Sequence, residues 1–234
     1  DHGELREGAF YVWHRDQLLE ALDEEDAAWA AEVFSVTPTG TFEHGASTLQ
    51  LRADHDQVRL ADVRERLLIA RDQRARPGRD DKVVAAWNGL LVDALVQAAM
   101  IFARPEWLQI ATQAAEHVWQ LHWREGRLRR TSRDGIAGGA FGILEDYAAL
   151  ALAAVRLAAV HAAPVWLTRA EQLLEVIMEQ FNDVGGGFFD TAADAEQLYT
   201  RPQDPTDNAT PSGLSAAVHA LRLMAELTGV DRYA

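Results

Sequence analysis

Apolar and polar residues alternate along most of the chain with helical spacing, and the helices that this pattern predicts come in pairs. The first pair covers residues 80–103 and 104–123, the second covers 141–161 and 163–181, and a third begins over 211–228. The first helix of the second pair is apolar on nearly every side, whereas its partner carries an apolar stripe on one face. A helix that is apolar all round must be buried all round, so inner helices covered by outer ones are predicted.

Equivalent aromatic residues near the start of each second helix give the length of this repeat. They lie about 60 residues apart, which is longer than the repeats of the common helical solenoids. Short β-like pieces at 126–129 and 186–189 separate the hairpins and predict β-hairpin inserts. The prediction is therefore an all-α fold, a partial α/α toroid with short β-hairpin inserts and a truncated last outer helix. The aromatic markers are Trp107, Trp166 and Tyr233, and the apolar face predicted for the first inner helix is Val83, Trp87, Leu91, Leu95 and Phe102.

The beginning of the chain has a different pattern. Residues 1–59 are predicted to form a strand-plus-short-helix segment of the toroid, and residues 60–234 the helical hairpins. The stretch 7–13 is aromatic and β-branched, which is typical of a short strand, and a short helix is predicted to begin at Asp16. A helix is also predicted from about Leu60 up to the Pro-Gly pair that follows it.

Charge and cysteine content exclude several classes of function. The chain has 22 basic and 36 acidic residues and a formal net charge of −14, and such a surface repels nucleic acids and anionic lipids. It has no cysteine, which excludes disulfides, thiolate metal sites and a Cys-x-x-Cys redox pair within it. Nucleic acid is therefore not expected as a partner.

Location is predicted from the absence of cysteine, which fits a cytosolic protein, and from hydropathy. The longest apolar run, 147–160, contains Arg156 and is shorter than the roughly 20 residues of a membrane-spanning helix. No membrane association is expected, and we predict a cytoplasmic protein. The first residue is Asp1 and no signal pattern follows it, so we expect further sequence upstream.

Seven short motifs follow one another along the chain. They are EGAFYVW (7–13), RPGRDDK (76–82), WNGL (87–90), LEDYA (144–148), GGFF (186–189), RP (201–202) and TPSG (210–213). In sequence and order they resemble the YyaL family, which includes the spermatogenesis-associated thioredoxin-domain proteins. Two positions depart from the family pattern, since Thr41 and Leu214 stand where the family favours Asn.

The resemblance implies a larger parent protein, with an N-terminal thioredoxin-like domain followed by a toroid similar to six-hairpin glycosidases and to N-acylglucosamine 2-epimerase. The partners that it implies for this chain are the missing toroid hairpins and that thioredoxin-like domain. It favours carbohydrate chemistry and specifies no reaction.

Acidic residues recur where the predicted inner helices begin. Two carboxylates that flank a glycosidic bond can serve as general acid and as base or nucleophile. The alternative is that these acids cap helix N-termini or pair with arginines, each cap contributing about 0.5 to 2 kcal/mol. The candidate catalytic acids are Asp80, Asp81, Glu145, Asp146 and Asp207, the last lying close to Asp204.

Aromatic and polar residues near the same helix starts are candidates for binding a saccharide. An aromatic face can stack on a sugar ring while an amide or hydroxyl bonds its hydroxyl groups, although core packing is the alternative for each aromatic residue. His219 lies two helical turns after Ser212 and is a candidate for proton transfer or a buried core histidine. The candidate substrate-binding residues are Trp13, Trp87, Asn88, Tyr147, Arg201 and Ser212.

Together these residues predict a carbohydrate-active or carbohydrate-binding domain, with hydrolase-like or epimerase-like activity on a sugar or sugar phosphate. No cofactor is expected, and the histidine spacing predicts no metal site. The competing hypothesis is a non-catalytic helical scaffold that presents a client to the thioredoxin-like domain. An enzyme requires two carboxylates at one solvent-accessible site, one of them with a raised pKa, whereas in a scaffold every acid is capped or paired.

Overall fold

The computed structural model describes residues 7–52 and 55–234. The chain forms two compact units, the first ending at Asp80 and the second beginning at Asp81. The helix predicted from Leu60 packs within the first unit. The structural boundary therefore lies about 20 residues after the one drawn from the sequence at residue 60, because helix periodicity does not reveal which core a helix joins.

Within residues 7–52 and 55–80 the first unit contains three α-helices and a 3₁₀ turn, Glu43–Gly45. Asp23 and Asp56 cap the second and third helices, each with a carboxylate that accepts backbone N–H groups of the first turn. The third helix buries Leu60, Val63 and Leu67 against the other two. The helices are α1 (Arg15–Ala21), α2 (Glu24–Val33) and α3 (Gln57–Asp72).

The strand predicted over residues 7–13 is wrong. Gly8 has a φ of +70°, and its carbonyl accepts hydrogen bonds from the N–H groups of Tyr11 and Val12. This closes a turn in place of an extended strand. Only Trp13 pairs in the manner of a strand, through an isolated antiparallel bridge to Ser47.

The second unit contains the predicted helical hairpins. A π-helical turn, Ile177–Phe181, continues the fourth of its helices, and a 3₁₀ turn, Asp231–Tyr233, follows the last. Prolines occupy the first position of both outer helices, where the missing N–H has no intrahelical partner to lose. The helices are α4 (Ala85–Ile101), α5 (Pro105–His122), α6 (Leu144–His161), α7 (Pro164–Val176) and α8 (Gly213–Thr228).

The core of this unit surrounds α6. This helix lies between α4 and α8, and it also packs against α7, while α5 packs on α4. Most residues of α6 are buried, many of them alanines. The α/α arrangement of inner and outer helices is therefore confirmed, and α6 is its most enclosed member.

The apolar face predicted for α4 is wrong. Trp87 and Phe102 are 66% and 64% exposed, and Leu91 is also more than half exposed. Small residues on one side of α4 let its backbone approach α6 closely. This side is therefore buried, although the side that carries Trp87 and Leu91 is more hydrophobic. The face that packs inward is Ala85, Ala86, Gly89, Val92, Val96 and Ala99.

Short strands join the helices on one side of this unit. β1 (Val83–Val84) pairs antiparallel with β4 (Thr131–Arg133), which pairs with β5 (Ile136–Ala137), and β2 (Trp123–Arg124) pairs with β3 (Arg127–Leu128). The insert at 126–129 is thus confirmed. The one predicted at 186–189 contains only an isolated bridge from Phe188 to Asn182. The Arg130 carbonyl accepts the N–H of Ala85, which holds this arginine beside the start of α4.

The close contact between α4 and α6 yields a stability prediction. A Cβ at position 89 would lie 2.6 Å from the Ala149 carbonyl carbon, so Gly89→Ala must separate the two helices. We expect a loss of about 1 to 3 kcal/mol in the free energy of unfolding, measured with urea. Gly139→Ala is the control, because nothing lies within 4 Å of that Cβ; equal stabilities would contradict the packing.

Candidate functional site

The N-terminal ends of α4, α6 and α8 meet at one end of the second unit. Gly213, the first residue of α8, is so close to α6 that an added Cβ would lie 3.0 Å from the backbone nitrogen of Glu145. A shallow recess of about 10 Å³, room for about one water molecule, lies between the three helix ends, and two predicted site residues, Trp87 and Glu145, line it. Its lining residues are Ala86, Trp87, Leu90, Glu145, Ala149, Thr210, Pro211 and Ala216.

Trp87 is exposed because its neighbours in α4 make the close helix contact. Ala86 and Gly89 are buried, which leaves the indole of Trp87 on the solvent side of the first turn. Asn88 donates from Nδ2 to the Val84 carbonyl at 2.8 Å and thereby anchors that turn. The structure thus presents Trp87 at the recess and gives the Asn88 amide a local structural contact.

One arginine connects the two consecutive acids at the start of α6. Arg130 donates from Nη2 to Glu145 Oε1 at 2.8 Å and from Nη1 to Asp146 Oδ2 at 3.2 Å. The two carboxylates differ sharply in exposure, since the side chain of Glu145 is 36% exposed and that of Asp146 is fully buried. Glu145 is therefore accessible to a ligand, and Asp146 is not.

Asp146 is a structural link between two helices. Its Oδ1 accepts the N–H of Ala86 in α4, and its Oδ2 accepts the N–H of Ile143 at the start of α6, both at 3.0 Å. Burial raises the pKa of Asp146 to about 6, against the opposing effects of these hydrogen bonds and of the Arg130 charge. Asp146 therefore caps a helix N-terminus, which was the alternative to a catalytic role for the acids at the helix starts.

Asp190 is an acid beside the start of α6 that the sequence reasoning missed, and it does not line the recess itself. Its carbonyl accepts the N–H of Leu144 at 2.9 Å, and its Oδ2 accepts the N–H of Asp204 at 2.9 Å. Burial, together with the negative charges of Asp204 and Glu145, raises the pKa of Asp190. The signal that could have found it is its position directly after the GGFF motif.

The predicted residues at α8 form its N-terminal cap. Ser212 Oγ accepts the N–H of Ser215 at 3.1 Å, and Asp207 Oδ1 accepts the N–H of Ser212 at 2.9 Å. Hydrogen bonds from Ser212 and Ser215 lower the pKa of Asp207. His219 lies further along α8, does not line the recess, and has no hydrogen-bond partner in the described part of the chain.

Tyr147 packs in the core and does not offer its ring to a ligand. It has no exposed surface, and its ring centroid lies 5.3 Å from that of Phe181. Its hydroxyl accepts hydrogen bonds from the N–H of Leu128 at 2.9 Å and from Arg127 Nε at 3.0 Å. The role of a stacking platform predicted for this residue is excluded by its burial.

Arg201 and Trp13 are also engaged in structure. The guanidinium of Arg201 lies 4.0 Å from the Phe189 ring centroid, and it donates to the carbonyls of Gln180 and Thr191. Trp13 belongs to the first unit, is 2% exposed and is covered by Arg74 at 4.0 Å. Neither side chain lines the recess.

The two consecutive aspartates before α4 do not join the recess. Asp80 is the last residue of the first unit. Asp81 forms an ion pair with Arg133 Nε at 2.8 Å, which ties the residues before β1 to β4. Among the five acids chosen from the sequence, only Glu145 lines the recess.

The role of Asp146 can be tested by its pH dependence. Each oxygen of the Asp146 carboxylate accepts one backbone N–H. In Asp146→Asn one of these N–H groups would face the side-chain NH₂ and lose its acceptor, so we expect a loss of about 1 to 3 kcal/mol in the free energy of unfolding. Because folding raises the Asp146 pKa from 3.8 to about 6, the wild type gains stability below pH 6 that it loses as pH rises through that value.

The gap between wild type and Asp146→Asn is therefore expected to be wider by about 1 kcal/mol at about pH 5 than at about pH 7.5 in urea unfolding. The matched control is Asp134→Asn, whose side chain is 79% exposed. A gap independent of pH would contradict the raised pKa.

Sequence comparison finds relatives that are longer than this chain, although no family model matches it. Spermatogenesis-associated protein 20 of Homo sapiens is 32% identical over 178 residues, which cover 70% of this chain and 22% of that protein. The protein of the same name from Rattus norvegicus is 27% identical over 271 residues, covering 96% of this chain and 34% of its own length. The chain thus spans about a third of the length of the curated relatives it matches.

Solved structures with the same fold are enzymes that act on saccharides. The cellobiose 2-epimerase of Bacillus thermoamylovorans is 14% identical, with a TM-score of 0.55 over 68% of this chain and 43% of that one. An inactive variant of a Salegentibacter α-1,6-mannanase, in complex with α-1,6-mannotriose, is 14% identical, with a TM-score of 0.52 over 94% of this chain and 65% of that one. At this level of identity the likeness establishes an α/α toroid fold of the six-hairpin glycosidase type.

Within residues 7–52 and 55–234, no helix combines the length and the apolar composition needed to cross a bilayer.

Proposed function

This chain belongs to the YyaL-like family that includes spermatogenesis-associated protein 20, and from that premise we propose that it processes saccharides on the exposed surface beside the recess, where Trp87 and Glu145 lie. The reaction is acid–base cleavage of a glycosidic bond. Glu145 and Asp190 are the reacting carboxyl groups, and Trp87 is the surface on which the sugar stacks.

The fold of this chain supports a reaction on saccharides. Both an epimerase and a mannanase with this architecture act on saccharides according to their names. In the mannanase, the inactive variant has two consecutive aspartates replaced by asparagine. The consecutive acids at the start of α6 are Glu145 and Asp146, of which only Glu145 lines the recess, while Asp146 is buried in structural hydrogen bonds.

The observation that carries the proposal is the pairing of an accessible carboxylate with a partly desolvated one beside an exposed indole. Glu145 lines the recess together with Trp87. Asp190 contacts the start of α6 through its backbone, and its pKa is raised partly by the charge of Glu145. Acid–base cleavage requires two neighbouring carboxyl groups, one of which holds its proton to a higher pH than an ordinary aspartate, as Asp190 does.

The roles follow from these environments. Asp190 holds a proton to higher pH than an ordinary aspartate and donates it to the glycosidic oxygen, which leaves as a hydroxyl group. Glu145, held by Arg130, acts as the carboxylate that activates water or attacks the sugar carbon. Hydrolysis consumes one water, whose hydroxyl ends on the sugar carbon and whose proton restores the acid.

The scaffold hypothesis receives less support. It requires every candidate acid to be committed to a cap or an ion pair, and Asp81, Asp146 and Asp207 meet that condition. Glu145 is paired but remains partly exposed at the recess, and Asp190 has a raised pKa. An epimerase-like reaction at His219 is also less favoured, because this residue lies almost two turns into α8, away from the helix end where Glu145 and Trp87 are exposed.

Stacking on Trp87 predicts a binding defect. Trp87→Ala is expected to weaken binding of α-1,6-mannotriose or cellobiose about tenfold, since the stacking surface is lost, as measured by calorimetric titration. Phe102→Ala is the matched control, because Phe102 has a similar exposure, 64%, at the opposite end of the same helix. Equal affinities of the two variants would contradict the proposed platform.

The acid–base roles predict a kinetic defect and a pH profile. Glu145→Gln is expected to lower oligosaccharide cleavage about 100-fold or more while binding is largely retained. Glu226→Gln is the control, because Glu226 is an exposed acid of α8 that does not line the recess. Wild-type cleavage is expected to fall as pH rises through the raised pKa of Asp190, because the proton donor is then lost.

In Asp190→Asn this alkaline limb should disappear together with most of the activity. Released sugars are quantified by chromatography across the pH series. Full activity in either the Glu145→Gln or the Asp190→Asn variant would overturn the assignment of that residue.

A further inference from the structure

We infer that the surface beside the recess, where Trp87 and Glu145 are exposed, selects neutral and amino-substituted saccharides and excludes phosphorylated and uronic ones. This inference rests on the proposed function and names the substrate class of the same site. It follows from which charges at the helix ends are available to a ligand and which are already bound within the protein.

Carboxylates surround the recess. Glu145 lines it directly, and Asp190 lies beside the start of α6 with the N–H of Asp204 bound to its Oδ2. Asp207 caps α8 through Ser212, next to the recess residues Thr210 and Pro211. An anionic ligand would therefore approach a cluster of like charges at short range.

The arginines near this end of the unit are held by contacts within the protein, and the two guanidinium nitrogens that lack a hydrogen-bond partner, Arg127 Nη2 and Arg201 Nε, are buried. Arg130 is bound by both Glu145 and Asp146. Arg201 donates to two backbone carbonyls and stacks on Phe189. Arg127 is paired with Asp194. Binding a phosphate or carboxylate group through any of them would first require breaking one of these contacts.

The helix N-termini are also occupied by acceptors of the protein. Free N–H groups at such ends are the usual alternative anion site in a fold of this kind. Here Asp146 accepts the N–H of Ala86 in α4, and Asp190 accepts the N–H of Leu144 in α6 through its carbonyl. At α8, Ser212 Oγ accepts the N–H of Ser215. These caps satisfy donors that would otherwise bind an anion.

A neutral or amino sugar meets none of these obstacles. Trp87 offers an exposed indole face, which attracts both the C–H face of a sugar and a nearby ammonium group. The half-exposed carboxylate of Glu145 accepts hydrogen bonds from hydroxyl or ammonium groups. The negative charge of Glu145 and the exposed indole of Trp87 thus both favour neutral and amino sugars over anionic ones.

The test compares three forms of the same sugar, one neutral, one positively charged and one negatively charged. Mannose, mannosamine and mannose 6-phosphate are titrated into the protein at neutral pH, with binding followed by NMR. We expect mannosamine to bind at least as tightly as mannose, and mannose 6-phosphate to bind at least about tenfold more weakly than mannose. Added salt should weaken mannosamine binding and leave mannose binding unchanged.

Asp204→Asn provides the matched charge variant. The replacement keeps the Oδ1 acceptor used by the N–H of Thr206 and removes one negative charge beside Asp190. We expect the preference for mannosamine over mannose to fall by about two- to fivefold, with mannose affinity unchanged. Asp134→Asn, which removes a charge away from the recess, should leave the preference as it is.

The outcomes separate this inference from the proposed function. Tight binding of mannose 6-phosphate, equal to that of mannose, would overturn the charge selectivity and leave a saccharide site in place. An unchanged preference in Asp204→Asn would also count against the selectivity. Failure of all three sugars and of the oligosaccharides to bind would overturn the proposed function itself.

Discussion

The arrangement of the second unit depends on one buried carboxylate. Asp146 accepts the first-turn N–H of Ala86 in α4, the N–H of Ile143 before α6 and a hydrogen bond from Arg130. A buried carboxylate is tolerated only where hydrogen bonds and a positive charge compensate for lost hydration, and here all three donors come from different segments. The group therefore joins two helix ends and the β-hairpin insert, and it sets the position of Arg130. Through Arg130 it also holds Glu145, so the accessible acid of the recess depends on the inaccessible one.

Close helix packing is the second constraint. Gly89 lets α4 contact the backbone of α6 near Ala149, and Gly213 lets α8 contact α6 at its first turn. With small residues on the shared faces, the three helix ends converge closely enough to share capping groups and to enclose the recess. The same packing leaves Trp87 on the outside, where it is available to a ligand. Structural and functional requirements at this end of the unit are thus met by the same few residues.

Electrostatics at the recess connects this framework to the proposed chemistry. Asp190 is partly buried beside Asp204 and Glu145, and both burial and like charge favour its protonated form. Glu145 keeps an ion pair and partial exposure. The environment of each carboxyl group is thus visible in the structure: the pKa of Asp190 is raised by burial and like charge, and Glu145 is paired with Arg130. The capped helix ends and the occupied arginines leave little positive potential for an anionic substrate, which links the catalytic assignment to the selectivity for neutral and amino sugars.

Periodicity and motif order were sufficient to predict the hairpin repeat, the alternation of inner and outer helices, and the location of acids and aromatics at the inner helix starts, because these depend on local spacing. They were not sufficient to choose among adjacent residues. Glu145 and Asp146 are consecutive acids, but successive residues of a helix point about 100° apart, so one faces the recess and the other the core. Asp190 joins the site only through contacts with segments distant in sequence, and the buried face of α4 was decided by how closely α6 approaches. Burial, and with it the identity of the usable acids, is a property of the packed structure, since desolvation depends on neighbours that the linear sequence does not specify.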